Sequence, residues 1–80
     1  SPDGGQNLVN VFPNPVKSGQ EVQLSAVASL VEVFDLTGKL VMSSRNVSAI
    51  PTEKLSQGGV YVVKLHLDNG DIQTNKLLVN

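Results

Sequence analysis

Gly58-Gly59-Val60-Tyr61-Val62-Val63-Lys64-Leu65-His66-Leu67 is the stretch on which the fold turns. A glycine pair breaks the chain, and a run of β-branched and aromatic residues follows it, which is the composition of a strand. Side chains alternate across a strand, so Tyr61, Val63, Leu65 and Leu67 share one face and Val60, Val62, Lys64 and His66 the other. Apolar residues on both faces predict a strand inside a sheet, with a neighbour on each side. Downstream, Asp68-Asn69-Gly70-Asp71 carries the Asn-Gly pair of a β-hairpin turn. Ile72 to Val79 then returns as the hairpin partner, with Leu77 and Val79 inward and Lys76 outward.

Upstream, the remaining segments read as further strands. Leu8 to Phe12 is short and ends at Pro13-Asn14-Pro15, because each proline removes a ladder donor. Lys17-Ser18-Gly19-Gln20 is a turn. Glu21 to Ala26 alternates, which places Val22, Leu24 and Ala26 inward. Leu30 to Leu36 is the next strand, with Val31 and Val33 on one face and Glu32 and Phe34 on the other. Thr37-Gly38 turns the chain, Asp35 caps that turn by accepting from backbone N–H groups, and Lys39 to Ser43 returns. Ser44 to Ser56 is the least regular region. It offers a short strand around Val47 to Ile50, a single helical turn at Pro51 to Leu55, and Leu55 as a plug for the core. Ser1 to Asn7 holds only polar and turn-forming residues and reads as a linker or remnant outside a domain of residues 8–80.

The expected architecture is all-β. Six or seven short strands at the turn spacing of a sandwich predict two antiparallel sheets packed face to face. The 80 residues make one domain with a thin core, and there is no cysteine to staple it. Net charge is −1 with no basic run, and the aromatics are Phe12, Phe34 and Tyr61 alone, which argues against nucleic-acid binding. No apolar run is long enough to span a bilayer as a helix.

Candidates for chemistry are sparse. His66, beside Lys64 on an outward face, reads as an isolated surface histidine, because a catalytic base needs an orienting partner and a nucleophile in reach. Asp68 and Asp71 flank the Asn-Gly turn, and a calcium loop would need more oxygen ligands at regular spacing. Gly58-Gly59 precedes a strand, whereas a phosphate loop precedes a helix. No serine has the context of a nucleophile elbow. Asn46-Val47-Ser48 fits a glycosylation sequon, a triplet common by chance. No catalytic, cofactor or metal residues emerge, and the expectation is a non-enzyme.

Four segments stand in a fixed order: Val11-Phe12-Pro13-Asn14-Pro15, Val31 to Val41 with Asp35 and Gly38, Leu55 to Leu65 with Gly58, Gly59 and Tyr61, and Lys76-Leu77-Leu78-Val79. As a set they resemble the type A C-terminal sorting domain of the type IX (Por) secretion system of Bacteroidetes, from about residue 8 onward. One departure is visible. The family pattern is Leu-x-x-Gly-x-Tyr, and here Leu55 is followed by Gly58-Gly59-Val60-Tyr61, so two glycines compete for one position.

The resemblance implies an Ig-like β-sandwich that carries a larger cargo through the outer-membrane translocon. It implies a periplasmic stage, removal of the domain by a sortase-like signal peptidase near Ser1–Asn7, and display of the cargo on the cell surface or its secretion. Pro13, Asn14, Pro15, Asp35, Gly38, Gly58, Gly59, Tyr61, Lys76, Leu77 and Val79 are the residues that carry the family motifs, as structural or recognition positions. A last hairpin ending in a bare strand would allow pairing with a partner or self-association through edge strands. The competing expectation is an Ig-like adhesion or carbohydrate-binding module, which would need an exposed aromatic platform.

Overall fold

The computed structural model describes residues 8–80, so the linker reading of Ser1–Asn7 lies outside the described residues. Five strands follow one another: β1 (Val11–Phe12), β2 (Val22–Asp35), β3 (Leu40–Ile50), β4 (Val60–His66) and β5 (Ile72–Leu78). No helix occurs among the described residues. β4 lies between β2 and β5, antiparallel to both, as its two apolar faces required. Its register begins at Val60, opposite Leu78, with Tyr61 opposite Leu77.

The all-β expectation holds and is consistent with a sandwich, but the described residues form five strands rather than six or seven, hydrogen-bonded into one curled antiparallel sheet. The reason lies in β2. Ala26-Val27-Ala28-Ser29 contains no glycine, proline or asparagine, so nothing separates the two strands expected at Glu21 to Ala26 and Leu30 to Leu36. The chain instead runs extended for 14 residues. Its buried positions are Val22, Leu24 and Ala28, then Val31 and Val33, so the inward phase changes between Ala28 and Val31. The register with β3 slips just before that change, from Gln23↔Ala49 to Ala28↔Val47. Such a bulge bends and twists a strand. The first end of β2 therefore pairs with β1 at Val11↔Leu24, while its last residues pair with β4. Ala26 falls in the bulge and is exposed, contrary to its expected inward position. β3 likewise continues through Ser44 to Ile50 without the expected break.

Both hairpin loops between adjacent strands have the same form. Asp35 N–H donates to Lys39 O and Gly38 N–H to Asp35 O; Leu67 N–H donates to Asp71 O and Gly70 N–H to Leu67 O. Gly38 and Gly70 each have φ near +90°. These are three-residue loops closed by a left-handed glycine, so Asn69-Gly70 forms a hairpin without being a two-residue turn.

Leu55 plugs the core as expected, but the segment before it is a hydrogen-bonded turn, Leu55 N–H to Thr52 O at 2.9 Å, not a helical turn. The core joins Val9, Val16, Val22, Leu24, Ala28, Val31, Val33, Ile50, Leu55, Tyr61, Val63, Leu65, Leu77 and Val79. Each fully buried valine contributes about 1.5–3 kcal/mol against the chain entropy.

The expected bare terminal edge is covered. Beyond β1, Val16 bridges Val79 in parallel, and Val16 N–H donates to Leu78 O, Asn80 N–H to Val16 O and Ser18 N–H to Asn80 O. Gln73 holds the residues just before β1: its side-chain amide accepts from Val9 N–H at 2.9 Å and donates to Val9 O at 2.8 Å. The cover reaches only Lys76 to Asn80; among the described residues β3 and β1 each pair with β2 alone, and β5 from Ile72 to Asn75 pairs with β4 alone.

Candidate recognition surface

The motif segments, scattered along the chain, meet in one connected patch. Asn14 carries the first contact. Its Nδ2 donates to Lys76 O at 2.6 Å and its Oδ1 accepts from Leu78 N–H at 3.1 Å. A side-chain amide has the donor and acceptor of a peptide unit, so Asn14 satisfies the edge of β5 where Pro13 and Pro15 have no N–H to offer. Both prolines follow cis peptide bonds and both are exposed, as is Asn14.

β5 then presents its two faces. Leu77 and Val79 enter the core, whereas Lys76 and Leu78 point outward, in agreement with the alternation of the sequence. Gly58 N–H donates to Val79 O at 2.6 Å and Val79 N–H to Gly59 O at 3.0 Å, so the glycine pair ties down the end of this strand.

The two glycines have different duties. Gly58 has φ +81° with open space around it, the third position of a turn closed by Gly59 N–H to Ser56 O. Gly59 has an ordinary φ, but a Cβ there would meet Tyr61 Cε2 at 2.8 Å and Ser56 O at 2.9 Å. Gly58 meets the backbone requirement and Gly59 the packing requirement. Tyr61 is buried, and its hydroxyl reaches the rim to accept Ser56 N–H at 2.7 Å. The ring thus supports the loop that supports Val79.

Tyr61 pairs in register with Asp35, which completes the connection. Asp35 Oδ1 accepts from Thr37 N–H at 2.9 Å, Thr37 Oγ1 at 2.5 Å and Lys39 N–H at 3.0 Å, the expected cap. The Thr37 hydroxyl, with the Lys39 amide after it, holds the Asp35 carboxyl below its usual range. Next to this turn lies a concavity of about 330 Å³, lined by Phe34, Asp35, Leu36, Gly38, Val62 and Lys64.

His66 is half-buried and not isolated: its Nε2 lies 2.7 Å from Glu32 Oε1 across β2 and β4. Sequence order hid this pair, which strand register alone creates. Ser29 Oγ donates to the main-chain O of His66 and not to the ring, so no serine–histidine–carboxylate relay is assembled there. Among the described residues no group of three or more His, Asp or Glu is placed to hold a metal ion. Three positions that the sequence did not mark also shape the patch and its supports: Val16, fully buried; Gln73; and Thr52, a buried hydroxyl that donates to Gln20 O and accepts from Gly19 N–H.

A family model described as the secretion system C-terminal sorting domain matches residues 10–80. The chain belongs to that family. The sorting-domain match spans every motif segment quoted from the sequence and bears out the type IX resemblance. No match was found among curated proteins. The sorting domain is thus a type IX secretion signal, part of a larger precursor bound for the outer membrane, the cell surface or the medium. Its family is generally non-catalytic. No helix of the described chain is long and apolar enough to cross a membrane.

Proposed function

We propose that residues 8–80 act as a non-catalytic export signal that folds in the periplasm and is read by the type IX translocon through its folded surface. A sortase-like signal peptidase then cuts within or near Ser1–Asn7 and joins the cargo to the cell surface. The family match over residues 10–80 carries this reading. The meeting of Asn14, Lys76, Leu78, Gly58, Gly59, Tyr61 and Asp35 in one patch supports it, because a signal read as a folded body needs its motif residues adjacent in space. Self-association, if it accompanies export, would use an open strand edge, of which that of β3 is the longest.

The adhesion or carbohydrate-binding alternative finds little support. Tyr61 is buried, Phe34 is half-buried beneath Lys64, and Phe12 is exposed alone on β1, so the three aromatics form no platform.

The test is a reporter fused upstream of residues 1–80 in a type IX-secreting host. Surface or secreted reporter, with the fusion cut near Ser1–Asn7, is the expected result. Periplasmic retention, while a known signal works in the same cells, would overturn the proposal.

A further inference from the structure

Residues 9–18 cross the end of β5 as a strap. Its bonds to β5 are dispersed: Asn14 through its side-chain amide to Lys76 O and Leu78 N–H, Val16 to Leu78 O and Asn80 N–H, and Ser18 to Asn80 O. β1 adds two residues of pairing with β2, Asn10 bonds Ser25, and the Gln73 side chain holds Val9. Of the strap's side chains only Val9 and Val16 are buried. At its far end Thr52 anchors Gly19 and Gln20, and Gly19 has φ +91°, so the strap ends at a fixed hinge. By contrast β2, β4 and β5 are joined in unbroken register, from Leu30↔His66 to Asp35↔Tyr61 and from Val60↔Leu78 to His66↔Ile72. Segments with little buried apolar surface and exposed hydrogen bonds open at a lower free energy than core ladders. The strap is therefore the part of the domain that can leave while the sheet stays.

Its departure uncovers a defined site. Val79 N–H and O are held by Gly59 and Gly58 on one side, whereas Leu78 and Asn80 turn their main-chain groups to the strap on the other. Freed of the strap, Lys76 O, Leu78 N–H and O, and Asn80 N–H and O form a row of unpaired donors and acceptors, a template for a strand. Val16, fully buried, leaves an apolar seat beside Val79. The strap itself shows what fits there: a chain running parallel to β5, with a β-branched side chain in the seat.

We propose that the strap is a displaceable cover, and that a strand of the export machinery takes its place along residues 76–80, with an apolar β-branched residue where Val16 sits. The inference rests on the sorting-signal reading and names the edge on which that signal is recognised. A C-terminal sorting domain has its cargo upstream, so the strap is the element through which cargo and sheet are joined. Pairing onto an edge draws affinity from main-chain bonds and selectivity from alternate side chains. Until it is displaced, the strap keeps this edge from pairing with other chains.

The experiment locks the strap in the upstream reporter fusion. Val16 and Val79 are bridge partners with both side chains buried, and neighbouring strands lie about 4.8 Å apart, within reach of a disulfide. The chain has no cysteine of its own to compete. The fusion with Val16→Cys and Val79→Cys, once oxidised, is expected to lose surface reporter, and a reductant given to the cells restores it. Leu30→Cys with Arg45→Cys, register partners on β2 and β3, makes a lock that need not open, and is exported with or without reductant. In the 80-residue wild-type chain, the Val16, Ser18, Leu78 and Asn80 amides are expected to exchange together, at least about tenfold faster than those of Val33 and Val63. Undiminished export of the oxidised Val16/Val79 fusion overturns the displaceable cover while the sorting reading stands. So does an equal loss in the oxidised Leu30/Arg45 fusion, which would show that any crosslink blocks passage. Exchange of the four amides only along with the sheet overturns it as well, and decides the matter if the reduced Val16/Val79 fusion is not exported. Export of the Val16/Val79 chain as a disulfide-linked dimer assigns the edge to a second copy and overturns the machinery strand. Failure of the unaltered fusion to leave the periplasm overturns the sorting reading itself.

Discussion

Gly59 lies so close to Tyr61 that a methyl group on the glycine would stand 2.8 Å from ring carbon Cε2 and 3.0 Å from the hydroxyl oxygen. Gly58, one residue earlier, faces open space but holds φ at +81°. The pair is thus two separate constraints, and substitutions distinguish them. Gly58→Ala should cost about 1–2 kcal/mol, the penalty of a left-handed backbone for a residue with a Cβ. Gly58→Asn should recover much of that, since asparagine tolerates the conformation. Gly59→Ala must push the ring or the Ser56 carbonyl aside, at about 1–3 kcal/mol, and Gly59→Asn should be no better. Denaturant unfolding of the four variants checks the pattern. Equal rescue by asparagine at both positions would contradict it.

Tyr61 makes two contributions that can be separated. Tyr61→Phe keeps the ring and leaves Ser56 N–H without its acceptor, at about 0.5–1.5 kcal/mol. Tyr61→Ala also empties the core under the loop, at about 3–5 kcal/mol, much of the stability of so small a domain. Because Ser56 lies in the turn whose glycines bond Val79, faster exchange of the Val79 amide should accompany the loss of the hydroxyl. An unchanged Val79 amide in Tyr61→Phe would show that the loop does not need the hydroxyl.

Asp35 gives the domain an acid-sensitive turn. Its carboxyl is held below the ordinary value by the Thr37 hydroxyl and then the Lys39 amide. In the unfolded chain an aspartate titrates at about 3.9. The folded value is lower, so the ionised carboxylate favours the fold. That contribution is complete above the unfolded value and is lost as pH falls through the folded one. Thr37→Val, which removes the largest cause, should raise the Asp35 midpoint toward 3.9 and reduce the stability lost on acidification. Carboxyl carbon NMR against pH measures the midpoint. A wild-type midpoint at or above the unfolded value would contradict the capping geometry.

What could be read from the chain alone follows the range of the interactions. The interior placement of β4, the inward Val31, Val33, Leu77 and Val79, and the Asp35 cap all depend on neighbours within a few residues or on strict alternation. Each is present as read. The single curled sheet was not legible, because it depends on a bulge where alternation runs on through Ala26 while the backbone slips. The Glu32–His66 pair, the Gln73–Val9 bonds and the cover over β5 join residues 34 to 64 positions apart. Glutamine and asparagine look like surface filler until the partner backbone is known. The motif residues were legible as a set, but their adjacency was not.

The cover over β5 provides the most direct test of how the first and last motif segments cooperate. Asn14→Ala removes both the donor to Lys76 O and the acceptor for Leu78 N–H, and should cost about 1 kcal/mol per bond. Asn14→Asp keeps the acceptor but sets a carboxylate against the Lys76 carbonyl, so the Leu78 amide stays protected while the domain is still destabilised. Hydrogen exchange at Leu78 should therefore accelerate in the alanine variant and not in the aspartate variant, with Asn80, which donates to Val16 O, accelerating less because Val16 remains buried. If the Leu78 amide exchanged equally in the wild type and in Asn14→Ala, the asparagine would be a spacer between two prolines, and the edge of β5 would be held by Val16 and Ser18 alone.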